Sequence, residues 1–227
     1  MPEASSAYRG CRERISELAS DAPDEALSQT VPACPEWSMV DLLAHVIGVA
    51  EDFAAGNLEG AGSDEWTSSQ IARRSEMAVP ELVEAWRVVA EPIESMMDQV
   101  PPGPVSLLIG DLVSHEHDLR GALDRPGARD SDAVWIGLDR YTRWFGKRIK
   151  DADLPSVTVR SAERRWQAGI LDPTVELEGD AFELLRAMTG RRTPDEIASL
   201  SWTGDSGAYL ELLPTYPPPD RSLSESL

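Results

Sequence analysis

The chain has little with which to neutralise an anion. Lys and Arg number 21 against 40 Asp and Glu, which leaves a formal net charge of −19 over 227 residues. Nucleic acid and anionic membrane surfaces are recognised by clustered Lys and Arg, so neither is expected as a partner. The plainer consequence of the charge is solubility. Cysteine is nearly absent as well. Cys11 and Cys34 are the only two, too few for a disulfide framework, so a reducing cytoplasm is the expected compartment. No apolar run approaches the roughly 18 residues of a membrane span. The start, Met-Pro-Glu-Ala-Ser-Ser, lacks the basic-then-apolar order of a signal peptide.

What is present fits an ordinary globular protein, with 41% hydrophobic and 27% charged residues. Up to about residue 150 the pattern is helical. Tyr8, Cys11, Ile15 and Leu18 recur at helical spacing. Residues 27–37 read as an irregular connector stiffened by Pro32 and Pro35. Ser38 and Asp41 have the spacing of a capping box, and Met39, Leu42, Leu43, Val46, Val49, Ala50 and Phe53 then form one stripe. A small-residue loop over 56–63 precedes a short helix over 66–77. Longer helices are expected from Pro80 to before Pro101, over about 105–123, and over about 131–149.

After residue 151 the period changes. Residues 157–160, 166–170 and 174–178 alternate like strands, and 209–213 reads as a final one. Asp180 caps a helix through Met188 that Gly190 closes, and Thr193 with Pro194 starts another. The division is a helical bundle over 1–150, a small α+β domain over 151–214 and a disordered tail over 215–227.

All three histidines fall in two segments, 31–45 and 110–118. Asp111 and His115 are four apart, so on a helix they share a face. His45, on another helix, would complete a two-histidine, one-carboxylate set with a position left open for water or substrate. At 100° per residue, His45, Asp111 and His115 sit at the edges of apolar stripes, as in a cleft between bundle helices. Asp118, one turn on, could orient a ligand. The same phase puts His117 on the far side as an exposed residue and Glu116 in the middle of the stripe. Spacing alone leaves two rivals open: a set that uses Glu116 or His117, and an Asp–His pair that only stabilises its helix.

The residues from Cys34-Pro-Glu-Trp-Ser to His45 resemble the C-P-x-W-S/T-x-x-D-L-x-x-H segment of mycothiol-dependent maleylpyruvate isomerase N-terminal domains, within the DinB-like metal-binding helical bundles. His115-Glu-His-Asp118-Leu-Arg-Gly-Ala-Leu123 resembles that family's H-x-x-D-L-x-x-A-L segment. Residues 182–192, with Trp202-Thr-Gly-Asp205, resemble its sterol-carrier-like C-terminal domain. The likeness spans roughly residues 8–212. It implies a mainly α protein, an antiparallel four-helix-type bundle followed by a small α+β domain. It also implies zinc, or another divalent ion, on His45, Asp111 and His115. The family carboxylate is typically Glu; here it is Asp111, one methylene shorter.

Thiol chemistry is the implied activity. Mycothiol would add as thiolate to a small electrophile such as one like maleylpyruvate, and either leave after bond rotation, as in an isomerase, or stay attached, as in an S-transferase. Arg191 and Arg192 would supply cationic partners for an acidic substrate. Cys34 is expected to pack at the helix entrance. Two other readings stand beside this one: a non-catalytic ligand-binding member, and a hydrolase that uses metal-activated water and no thiol.

Overall fold

A computed structural model describes residues 3–223 and 225. The described residues form two compact units, one over 3–127 joined by residue 225 and the other over 128–223.

The first unit is built on four long helices. They are α1 (Ala4–Ser20), α3 (Met39–Ala55), α5 (Val79–Met96) and α6 (Pro102–Ala122). Helix α1 packs on α5 and α6, and α3 packs on the same two from another side. Tyr8, Ile15, Leu42, Leu43, Ile47, Leu82, Trp86, Ile93 and Ile109 fill the space between them. Trp86 donates its indole N–H to the Tyr8 hydroxyl at 3.1 Å, which satisfies the polar ends of both buried rings. Two short helices decorate the bundle, α2 (Asp24–Leu27) and α4 (Asp64–Ala72), the latter lying on α3.

The connector before α3 is not irregular. Strands β1 (Thr30–Val31) and β2 (Cys34–Ser38) pair antiparallel, with Thr30 opposite Ser38 and Val31 opposite Cys34. Helix α3 starts where the spacing predicts. Ser38 Oγ accepts from the Asp41 amide at 3.2 Å, and Asp41 Oδ2 accepts from the Ser38 amide at 2.9 Å. Gly56, at φ 71°, ends the helix in a conformation that glycine adopts without strain.

The second unit starts earlier than the sequence pattern suggests. Helix α7 (Asp132–Asp151) reads like the bundle helices before it, yet its partners are helix α8 (Ala181–Met188) and strands β3 (Ser156–Ser161) and β4 (Arg164–Ala168). The expected boundary at 150 therefore moves to 127/128. With β5 (Pro173–Glu178) and β6 (Ser201–Thr203) the sheet runs in the order β4-β3-β5-β6. Only β3 and β5 are parallel. Asp180 caps α8, and Gly190 follows it at φ 74°. A short helix α9 (Pro194–Ala198) starts at Thr193 as expected.

The strand expected over 209–213 is a 3-10 turn, Gly207–Tyr209, followed by further turns, and the fourth strand lies before it at β6. The tail expected to be disordered from 215 begins attached, since the Thr215 amide donates to the Met188 carbonyl at 2.8 Å. Residues 224, 226 and 227 of that tail lie outside the described residues. No helix among the described residues is long and apolar enough to cross a membrane.

Candidate metal centre

Three elements of the first unit meet at one point. Helix α3 brings His45, α6 brings Asp111 and His115, and β2 brings Trp37. His45 Nε2 lies 3.6 Å from Asp111 Oδ2, and His115 Nε2 lies 3.6 Å from Asp111 Oδ1. One ligand atom from each of the three residues falls within 4.8 Å of the others. Both histidines are buried, while Asp111 is 22% exposed and so forms the open side. The imidazoles meet edge to face, their centroids 5.0 Å apart. Trp37 leans on both, at 4.8 Å from His45 and 5.7 Å from His115.

These distances fit an ion better than a hydrogen-bonded cluster. At 3.6 Å a nitrogen and an oxygen are too far apart for a good hydrogen bond. Ligand atoms placed tetrahedrally at about 2.0–2.1 Å from zinc stand about 3.3 Å apart, close to the separation seen. Asp111 is short for the family, yet each of its oxygens reaches toward a different histidine. Three protein donors of type N, N and O leave one tetrahedral position open, the pattern of a catalytic rather than a structural zinc site.

Each imidazole is held from behind. His115 Nδ1 lies 3.0 Å from Asp118 Oδ2, a buried carboxylate one turn along α6. A carboxylate oxygen accepts only, so Nδ1 carries the proton and Nε2 faces Asp111. His45 Nδ1 lies 2.9 Å from Gln70 Oε1 on α4.

Burial alone would push the Asp111 carboxyl up; the field of His115, with the approach of His45, outweighs it and holds the group far below the usual carboxylate range. Burial alone would lower the His115 imidazole; Asp111, with Asp118 and Cys34 behind, reverses this and raises it well above its ordinary value. A proton on His115 here offsets the charge that a divalent cation would offset.

Cys34, Asp118 and His115 form a second group within the same 4.8 Å span. It would need His115 Nδ1, which is committed to Asp118. The Cys34 thiol lies 3.6 Å from that same Asp118 oxygen and braces it from the helix entrance.

The other polar residues fall into place differently than their spacing suggests. His117 is not exposed: it is 3% accessible, and every residue of α6 from Leu112 to Leu119 is buried with it. Glu116 is fully buried, as its phase on the stripe requires. Arg14 forks onto it with two bonds of 2.7 Å, Arg120 reaches it at 3.0 Å, and Cys11 Sγ lies 3.0 Å away. It belongs to an ion cluster inside the bundle and not to the histidine centre.

Arg191 and Arg192 lie in the second unit. Arg192 forks onto Glu183 at 2.9 and 3.0 Å, and Arg191 donates to the Thr189 carbonyl at 2.6 Å while lying over the Tyr216 ring. Both guanidinium groups thus do structural work within their own unit. Sequence reading missed Gln70 and the ring contacts of Trp37. Helix α4 has no apolar stripe to signal what it faces, and Trp37 reads equally well as a packing residue beside the cap.

Residues 8–125 match the family model described as the mycothiol maleylpyruvate isomerase N-terminal domain. Among solved structures, the crystal structure of the mycothiol-dependent maleylpyruvate isomerase superposes with a TM-score of 0.54 at 14% identity, over 84% of this chain and 90% of that one. A variant of that isomerase with one histidine replaced by alanine superposes with a TM-score of 0.53 at 13% identity, over the same shares. At these identities the likeness establishes a shared fold. No curated protein shows a significant match to the chain.

Proposed function

This chain belongs to the mycothiol maleylpyruvate isomerase N-terminal domain family, and from that premise we propose that it is a metal-dependent enzyme that uses mycothiol to isomerise, or to become attached to, a small electrophilic substrate. The observation that carries the reading is the approach of His45 Nε2, His115 Nε2 and both oxygens of Asp111 to one point. His45, Asp111 and His115 would hold the ion. A mixed nitrogen and oxygen donor set around an open position favours zinc. Bound there, the ion would supply Lewis acidity that lowers the pKa of a thiol at the open position from its ordinary value of roughly 8.5.

The chain's own residues would do the rest. Asp118 keeps the His115 proton on Nδ1 and so leaves Nε2 to bind. Trp37 covers the two imidazoles and excludes water from their faces. Asp111, the exposed member of the trio, marks the side from which thiol and substrate enter. Cys11 and Cys34, neither in a disulfide, suit a reducing, cytoplasmic setting in which a small thiol is available. For an acidic substrate such as a maleylpyruvate-like diacid, Arg191 and Arg192 are the proposed cationic partners.

Purified protein should contain close to one equivalent of a divalent metal and turn over a cis-unsaturated keto acid only when mycothiol is supplied. Turnover that needs no thiol would replace this reading with the hydrolase. Metal bound without turnover of any thiol adduct would replace it with the ligand-binding member.

A further inference from the structure

Behind His45 runs a chain of polar contacts that neither the family pattern nor the trio requires. Gln70 is fully buried, with both ends of its amide engaged. Its nitrogen lies 2.7 Å from Asp52 Oδ2, and its oxygen lies 2.9 Å from His45 Nδ1. Asp52 is itself 5% exposed and anchored twice more, by Asn57 Nδ2 at 3.1 Å and by Arg73 Nη2 at 3.1 and 3.2 Å. Burial raises the Asp52 carboxyl, and the bonds from Gln70, Asn57 and Arg73 outweigh it and keep the group ionised below its usual range.

The order of donors along this chain admits one solution. A carboxylate accepts and never donates, so the end of Gln70 that faces Asp52 is its NH2 group. The end that faces His45 is then a carbonyl oxygen, which also only accepts. His45 Nδ1 must therefore donate, and the lone pair of the neutral ring sits on Nε2, the atom 3.6 Å from Asp111. Asp52 thus dictates, through one intervening amide, which nitrogen of His45 is free.

We propose that Gln70 is a positioning residue: set by Asp52, it fixes the tautomer and direction of His45 and so completes the metal centre. The inference rests on the reading of His45, Asp111 and His115 as metal ligands. It makes the centre asymmetric. His115 is backed by a carboxylate directly, whereas His45 is backed by a neutral amide with the carboxylate one step removed. The close fit of α4 on α3 is part of the device. A Cβ at Gly48 would stand 2.7 Å from Gln70 Cγ and 3.2 Å from its Cα, so only glycine lets α4 come near enough for Gln70 to reach His45.

The test uses the full chain, zinc as probe with a competing chelator, and long-range nitrogen–proton NMR of the imidazoles in metal-stripped protein near pH 9, about 2.5 units above the ordinary histidine value. In the wild type His45 should appear as the Nδ1–H tautomer. Gln70→Met, similar in volume, should weaken zinc binding roughly 10–100-fold, as removal of partners behind metal-binding histidines commonly does. It should also let His45 populate both tautomers.

Exchanging the two groups, Gln70→Glu together with Asp52→Asn, places the donor at 52 instead of 70 and keeps an acceptor facing His45, and should recover most of the zinc affinity. Were the role packing alone, Gln70→Glu without Asp52→Asn, which keeps the same shape but sets two acceptors face to face, would bind zinc as well as the double exchange does. Gly48→Ala, which changes no polar group, should reproduce the loss. Zinc affinity in Gln70→Met within about twofold of wild type, or an Nε2–H tautomer in the wild-type protein, would overturn the proposal. A wild-type protein that binds no zinc yet holds His45 as Nδ1–H would remove the metal reading while leaving the relay in place.

Discussion

His115→Ala is expected to abolish the stabilisation of the protein by zinc. In the proposed centre His115 would supply one of three ligand atoms, and its neighbour Asp111 reaches toward two histidines at once, so removing His115 would leave a two-ligand site open to water. Loss of a ligand should weaken binding by more than the roughly 10–100-fold that loss of a partner behind a ligand produces. Free zinc at about a thousand times its dissociation constant stabilises a folded protein by about 4 kcal/mol. For a protein of this size that is a rise in melting temperature on the order of 10 °C.

The wild-type protein should show that rise on adding zinc and lose it on adding a chelator. His115→Ala should show no rise at zinc concentrations that saturate the wild type. His117→Ala provides the comparison, because His117 is a buried histidine of the same helix outside the trio. Its absolute stability should fall, and its zinc-dependent rise should persist. A full zinc response in His115→Ala would refute the assignment of the centre.

Glu116→Ala should destabilise the first unit more than any change at the metal centre does in metal-free protein. The carboxylate is fully buried and accepts from Arg14, Arg120 and Cys11. Removing one member of such a cluster strands the others, and breaking a buried pair in this way costs about 3–5 kcal/mol. The denaturant midpoint of the helical unit, followed at neutral pH, checks the size of the loss.

The dependence on pH has a definite sign. Burial would raise the Glu116 carboxyl above its ordinary value of 4.5, but Arg14, with Cys11, outweighs it and the net shift is downward. A carboxyl lowered in the folded state contributes stability that is present above its unfolded value and disappears as pH falls through its folded one. Wild-type stability should therefore decline steeply below about pH 4.5. Glu116→Gln, already weaker at neutral pH, should decline less over the same interval. Parallel curves would show that the cluster does not hold the acid in its charged form.

The two segments that hold the histidines made the trio legible because helical geometry needs no knowledge of the rest of the chain. Asp111 and His115 share a face on any helix, and the Ser38–Asp41 box fixes where the helix of His45 begins. The fate of His117 was not legible for the same reason turned round. Helical phase assumes one face toward the core and one toward water. Helix α6 has no water face between Leu112 and Leu119, where every residue is buried. The arginines that make a buried Glu116 tolerable come from α1 and from the next turn of α6, and phase says nothing about them.

Helix α7 shows a third limit. Its apolar pattern suits a bundle equally well, and only the sheet it covers reveals to which unit it belongs. Gln70 shows a fourth. Its significance lies in a close approach between α3 and α4 that a glycine permits, and a lone glycine within a helix does not name what it admits.

The cap at the start of α3 has a consequence for how freely this family can drift. His45 stands two turns beyond Ser38, and at roughly 100° per residue it returns to nearly the same angular position. The cap therefore acts as an index mark for the site. Trp37, just ahead of the mark, and His45, beneath it, meet because both are counted from the same origin. Side chains between them can change with little effect on that count. Adding or deleting one residue between Ser38 and His45 would swing the imidazole about a quarter turn or more away from Asp111. With Asp41 in the cap and Leu42 and Leu43 in the core, the stretch should accept conservative exchanges and almost no change of length.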